Sequence, residues 1–152
     1  MELNESKLIK NEITLRRMAI TKEVTETRRS LVRWLALAMG IINPGESRLS
    51  AVEVFDALIY FHFTSKKNPT VNEIAEYINV NWEPINEKTL RYHLLQLSKA
   101  NIVEHSKGKY SLIYPLGEEY DEIKWLDYYF KVQIEPIKES ISNILLELKT
   151  KI

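Results

Sequence analysis

The side chains best equipped to bind another molecule lie between residues 86 and 110, where basic and hydrogen-bonding groups recur. This stretch holds five Lys or Arg residues against two Glu residues, a local excess of three positive charges. Arg91 is suited to guanine and Gln96 to adenine, and lysines at the tip of a turn suit backbone phosphates. The candidate binding residues of this region, and of the hairpin expected within it, are Lys88, Thr89, Arg91, Tyr92, Gln96, Lys107 and Lys109. For each of them, the alternative is an ordinary solvated surface residue.

The sequence contains little that indicates catalysis, metal binding or phosphate binding by a glycine-rich loop. Cysteine is absent, which excludes thiolate metal sites, cysteine nucleophiles and disulfides. The histidines are too widely spaced to suggest a metal site, and no glycine-rich phosphate loop occurs. Two acidic pairs, Glu118–Glu119 and Asp121–Glu122, have no nucleophile beside them and suit the amino terminus of a helix. The sequence therefore predicts no enzyme activity, no metal and no cofactor.

Length and composition indicate a globular protein of about one domain. The chain has 152 residues, of which 45% are apolar and 28% charged, and its 21 basic residues equal its 21 acidic ones. The neutral total conceals a gradient, with charges of +3, 0 and −3 over residues 1–44, 45–115 and 116–152. No apolar run approaches the roughly 20 residues of a membrane span, and the polar amino terminus does not resemble a signal peptide. We therefore expect a cytoplasmic protein with no membrane partner.

Helix caps predict the elements in the first half of the chain. Residues 1–20 would form a weak helix at best, whereas Thr21 should cap a helix that runs to about residue 42. Its second half, residues 31–42, carries a single charge and should be buried on most sides. Ser50–Glu53 and Thr70–Glu73 have the spacing of capping boxes, so each should open a further helix.

A third helix and a hairpin follow. Leu90, Leu94 and Leu97 repeat at intervals of 4 and 3 residues, so residues 86–100 should form a helix with one apolar stripe. Residues 102–114 read as strand, glycine turn and strand. The predicted fold class is therefore mainly α with a small β-hairpin.

Three aromatic or imidazole side chains in this region have structural explanations. His62 lies among aromatic residues and should be a core or boundary histidine whose ring has hydrogen-bond partners. His93 sits beside the leucine stripe, which favours a boundary position. Trp82 precedes the third helix and should plug the core rather than stack on a ligand.

The carboxy-terminal residues 118–151 should form two helices separated by Pro136. In the second helix, apolar residues repeat at intervals of 3 and 4, as in a coiled-coil seam of about two heptads. A second copy of the chain could cover this seam, with the aromatic residues before it as part of the interface; packing within the chain is the alternative. The residues of the predicted homodimer interface are Trp125, Tyr129, Ile134, Ile137, Ile141, Ile144 and Leu148.

The segment KTLRYHLLQLSKANIVEHSKGKYSLI, residues 88–113, resembles the recognition helix and wing of ArsR-, MarR- and PadR-type regulators. Two positions depart from their pattern: Asn101 stands where glycine is usual, and Arg91 stands where a small serine is common. The resemblance covers residues 50–114, and the flanking helices are similar to those of small archaeal winged-helix regulators. The matching residues are Thr89, His93, Leu94, Leu97, Ile102, Val103, Gly108, Tyr110 and Leu112.

This resemblance implies a winged helix-turn-helix core and a division of the chain into three parts. These would be a helical extension at residues 1–49, the winged helix at 50–114, and carboxy-terminal helices at 115–152 that serve dimerisation. It also implies sequence-specific or architectural binding of double-stranded DNA, as in a transcriptional regulator. The alternative is a protein–protein adaptor in transcription, replication or membrane remodelling. The neutral net charge, Glu87 and the aromatic residues 120–130 favour that alternative.

Overall fold

The computed structural model describes residues 4–47, 49–115 and 120–151. Its described residues are mainly helical, with one small antiparallel hairpin. They divide into two compact units, Met1–Val52 and Glu53–Ile152. The helices are α1 (Lys22–Thr25), α2 (Arg28–Ala38), α3 (Ser50–Ile59), α4 (Val71–Asn81), α5 (Glu87–Lys99), α6 (Glu122–Gln133) and α7 (Glu135–Leu148). The strands are β1 (Val103–Ser106) and β2 (Lys109–Leu112).

In the first unit, the single helix expected after Thr21 is divided in two. Thr21 caps α1 as predicted, but Thr27 adopts an extended conformation and its hydroxyl accepts from the Ser30 N–H, which starts α2. Over residues 31–42 the expected burial is found only in part, because Leu31 and Leu35 are exposed and the others are buried or half-buried. Only one stripe of α2 is buried, at Val32 and Ala36. The polar contacts of Thr27 and Ser30 explain why a continuous helix gives way to two short ones.

Among the described residues before α1, one 3-10 turn occurs at Glu5–Leu8, and the others have no regular secondary structure. They pack on α2 through polar groups. The Arg16 guanidinium donates to the carbonyls of Leu37 (2.7 Å) and Ile42 (3.0 Å), and the Trp34 indole donates to the Ala19 carbonyl (2.8 Å). Carbonyls at the end of a helix lack partners within the helix, so Arg16 stabilises the carboxy-terminal end of α2.

In the second unit, α4 begins after its predicted cap, and α5 begins one residue after the predicted start at residue 86. The Thr70–Glu73 capping box is present in full, and the Asn86 side chain accepts from the Thr89 N–H to open α5. The helix opened at Ser50 continues past α3 as a π-helical segment, Tyr60–Ser65. It ends at Lys66, whose φ of 56° is left-handed.

The predicted hairpin is confirmed. Val103 pairs with Leu112 and Ser106 with Lys109, and the two turn residues, Lys107 and Gly108, have φ of 53° and 76°. Two residues with positive φ form the turn type that matches the twist of paired strands. β2 also contacts the start of α4, because the Tyr110 N–H donates to the Pro69 carbonyl (2.8 Å) and Thr70 forms an isolated bridge with Lys109.

The carboxy-terminal helices differ sharply in burial. On α6, Trp125, Tyr129 and Gln133 are buried, whereas every residue of α7 is exposed. Trp125 and Tyr129 therefore belong to the core of this unit rather than to a surface open to a second copy, which corrects their assignment to the dimer interface. The seam residues of α7 do lie on the surface. Within the described residues, no helix has both the length and the apolar character to cross a membrane.

Candidate nucleic-acid interface

Helix α5 has two distinct faces. Leu90, Leu94 and Leu97 are at most 5% exposed, so this stripe is in the core. Because neighbours on a helix face recur every three or four residues, the opposite face must point to solvent. That outer face consists of Lys88, Arg91, Tyr92, Leu95, Gln96 and Lys99, all of which are exposed.

Four of the predicted DNA contacts, Lys88, Arg91, Tyr92 and Gln96, share this outer face. Thr89 does not. It is half-buried, and its N–H serves the Asn86 cap. Two residues of the same face were missed by the sequence reasoning: Leu95 and Lys99, which follow Arg91 and Tyr92 at helical spacing. Extending the helical spacing from Arg91 reaches Leu95 after one turn and Lys99 after two.

Arg91 is held by a carboxylate on its own helix. Its Nη2 lies 3.2 Å from Oε1 of Glu87, one turn earlier, and both side chains are more than half exposed. An exposed pair of this kind contributes about 0.3–0.5 kcal/mol, so a stronger partner can replace Glu87. The guanidinium is thus held in an extended position on the outer face without being locked there.

The hairpin tip gathers the two remaining predicted residues. Lys107 and Lys109 line a cavity of about 350 Å³ that is open on one side. Serine and asparagine side chains on the same wall can donate hydrogen bonds, and Glu104 is the carboxylate among the lining residues. On the hairpin, His105 stacks on Tyr110 with ring centroids 4.1 Å apart. The cavity could take an anionic group such as a phosphate.

Backbone and side-chain hydrogen bonds attach the hairpin to α5. Asn101 has φ of 58°, as expected for the residue that ends the helix, and the Ile102 N–H donates to the Leu97 carbonyl (3.0 Å). The buried Gln133 side chain of α6 donates to the carbonyls of Ala100 (2.8 Å) and Asn101 (3.3 Å). The end of α5 is therefore fixed both to the hairpin and to α6.

His62 and His93 lie in mainly structural surroundings. His62 is buried as predicted, but among the described residues neither of its ring nitrogens has a hydrogen-bond partner, so the expected satisfied ring is wrong. Phe63, Tyr114 and Tyr120 surround it, and burial lowers its pKa from 6.5 to about 4. His93 is half-buried, and burial lowers its pKa too.

Trp82 is half-buried, and its indole is attached to the core by a hydrogen bond. Its indole N–H donates to Oδ2 of the buried Asp56 (2.9 Å), and the Tyr77 hydroxyl donates to the same oxygen (2.8 Å). This network joins α3, α4 and the loop before α5. The network stabilises the packing of the elements that precede α5, and Trp82 does not belong to the outer face of α5.

The outer face and the hairpin tip offer cations, amides and hydroxyls, which form ion pairs and hydrogen bonds with a charged partner. Among the described residues, no group of three or more His, Asp or Glu side chains is placed to hold a metal ion. No protein-family model, no curated protein and no solved structure matches this chain.

Proposed function

We propose that this protein binds double-stranded DNA through the outer face of α5 and the hairpin tip, as a winged helix-turn-helix protein. The observation that carries the proposal is the two-faced character of α5. One face is locked in the core by three leucines, and the other presents Lys88, Arg91, Gln96 and Lys99 to solvent. A helix that enters the major groove needs this combination of a fixed inner face and a polar outer face.

The order of the elements supports the same proposal. A helix, a single bridged residue, two helices and a hairpin follow one another in the second unit. The bridge from Thr70 to Lys109 sets a third short extended segment beside the hairpin. That order, with the hairpin attached to the end of the second of the two helices, is typical of winged helix-turn-helix domains.

The chemistry of the outer face suggests a division of roles. Arg91 would read guanine and Gln96 adenine, because each side chain forms paired hydrogen bonds with that base edge. Lys88 and Lys99 would contact the phosphates beside the groove, and Lys107 and Lys109 those near the hairpin. Leu95, at 52% exposure, would contact a thymine methyl group. A transcriptional regulator is the class of protein that fits this surface.

Fluorescence anisotropy with a duplex selected from a random pool, at graded salt, tests the proposal. Lys107→Ala/Lys109→Ala should weaken binding to every duplex and reduce the salt slope by about one for each phosphate that is no longer neutralised. Arg91→Ala should cost roughly 1–3 kcal/mol on the selected duplex and less on others. The matched control is Lys149→Ala/Lys151→Ala, which removes two exposed lysines elsewhere. Equal binding by all these variants would contradict the proposal.

A protein-binding adaptor is the second candidate. Its specific support is the apolar part of the outer face, because Tyr92 and Leu95 are both more than half exposed. Aromatic and apolar side chains in such positions are typical of protein interfaces. The anisotropy experiment separates the two candidates: the adaptor predicts no binding to any duplex, even at low salt.

A further inference from the structure

Helix α7 has no core of its own. Every residue of this 14-residue helix is exposed, yet four apolar residues recur along one side of it at intervals of 4, 3 and 4. An isolated helix of such a length is marginal in water, because most helical stability comes from packing an apolar face. The apolar side of α7 therefore requires a surface to cover it.

The exposed apolar side continues onto α6. Ile134 alone separates the two helices, it has helical backbone angles, and its carbonyl accepts from the Lys138 N–H (3.0 Å). On α6 the same side carries exposed apolar residues at intervals of 3 and 4, next to the buried Trp125 face. We call the whole set the terminal stripe: Ile123, Leu126, Phe130, Ile134, Ile137, Ile141, Ile144 and Leu148.

We propose that the terminal stripe is a self-association surface and that a second copy of this chain covers it. Intervals of 3 and 4 are those at which the side chains of two like helices interlock. From Glu122 to Leu148 the two helices extend for about 40 Å at 1.5 Å per residue. Self-pairing covers both copies at once, so neither chain keeps an exposed stripe.

The area of the stripe is sufficient for such a pair. Ile134 is half-buried, and the other seven side chains of the stripe are between 36% and 67% exposed. With on the order of 100 Å² for a fully exposed large apolar side chain, each copy contributes about 400 Å² of apolar surface. Homodimer interfaces are roughly two-thirds apolar, so the paired area is on the order of 1,200 Å². That value reaches the range of stable interfaces.

A membrane surface suits the stripe less well than a second copy. Helices that lie on membranes carry mainly Lys and Arg on their polar side. On α7 the polar side has one lysine, Lys138, against Glu135, Glu139 and Glu147. An acidic polar side is repelled by anionic lipid, whereas it stays solvated at the outside of a helix pair.

Pairing would also arrange two copies of α5. Gln133 joins α6 to the end of α5 by its two hydrogen bonds, so the position of the stripe determines that of α5 in each copy. Dimeric helix-turn-helix proteins read two half-sites about one helical turn apart. This consequence rests on the proposed DNA binding; the pairing itself does not.

Sedimentation equilibrium of the full chain without DNA tests the pairing. Wild type should sediment at twice the mass of the 17.9 kDa chain. Ile141→Asp/Ile144→Asp should sediment at the single mass with its circular dichroism retained, because both side chains are more than half exposed within the chain itself. The matched control, Ser142→Asp/Asn143→Asp, adds the same charges to the other sides of α7 and should still sediment with the mass of a dimer.

Three results would overturn the proposal. The first is wild-type protein that sediments with the mass of a monomer at tens of micromolar. The second is a stripe variant that still sediments with the mass of a dimer. The third is a stripe variant that unfolds, because the stripe would then pack within its own chain. Anisotropy with duplex DNA is a separate readout: wild type that pairs but binds no duplex contradicts the proposed function and leaves the pairing intact.

Discussion

Acid should destabilise this protein through His62, and replacing the imidazole with Phe should remove that effect. The His62 ring is 2% exposed among aromatic side chains and has no hydrogen-bond partner among the described residues. Burial lowers its pKa to about 4, although the negative charge of Glu122 acts in the opposite direction. In the unfolded chain the same imidazole should titrate at its ordinary value of 6.5.

The direction and size of the effect follow from these two pKa values. Between pH 6.5 and about 4 the unfolded chain binds a proton that the folded chain does not, so the free energy of unfolding falls as the pH is lowered through this window. At 1.36 kcal/mol per pKa unit the full effect is about 3 kcal/mol. From pH 7 to pH 5 it is about 2 kcal/mol. Well above pH 6.5 the imidazole is neutral in both states, and no further change is expected.

Denaturant unfolding followed by circular dichroism at pH 7 and pH 5 measures this loss. Other titrating groups contribute to the wild-type slope, so the informative quantity is the difference between wild type and His62→Phe. Phe has a similar ring and no proton to bind, and should therefore show a pH dependence smaller by about 2 kcal/mol. Titration of the imidazole by NMR gives an independent value, expected near 4.

Two results would refute this reasoning. If His62→Phe loses as much stability on acidification as wild type, the imidazole does not control the effect. If the His62 resonance titrates near 6.5 in the folded protein, the ring has a partner or contact with solvent that stabilises its charged form.

Three further predictions concern single side chains. Glu87→Gln should raise the affinity for duplex DNA several-fold in the anisotropy assay, because it removes a negative charge and the carboxylate that holds Arg91; unchanged or weaker binding would contradict a role for this face. Asp56→Ala removes the shared acceptor of Tyr77 and Trp82 and should lower the free energy of unfolding by roughly 2–4 kcal/mol; a loss below about 0.5 kcal/mol by denaturant titration would show that the network adds little. Gln133→Leu should cost roughly 1–3 kcal/mol through the carbonyls left at the end of α5; a thermal midpoint equal to that of wild type would be the contrary result.

The caps, helix faces and turn of this protein could be predicted from the sequence by itself. The Thr70–Glu73 cap, the leucine stripe of α5 and the positive-φ turn at Gly108 all appear where their residues predicted them. Each depends on hydrogen bonds or spacing within a few residues of the chain, which the residue types determine directly. The outer face of α5 follows from the same periodicity, since burial of one stripe exposes the opposite side.

Tertiary structure alone decided which apolar side chains are in the core. Trp125 and Ile141 are both large, apolar and helical, yet Trp125 is buried and Ile141 is 56% exposed. Spacing places each on an apolar side of its helix but does not say what packs there, because the partner surface comes from residues distant in the chain. Two further features are of the same kind: the His62 ring lacks a hydrogen-bond partner among the described residues, and Thr70 forms a bridge with Lys109. Both are products of long-range packing, and no local pattern encodes them.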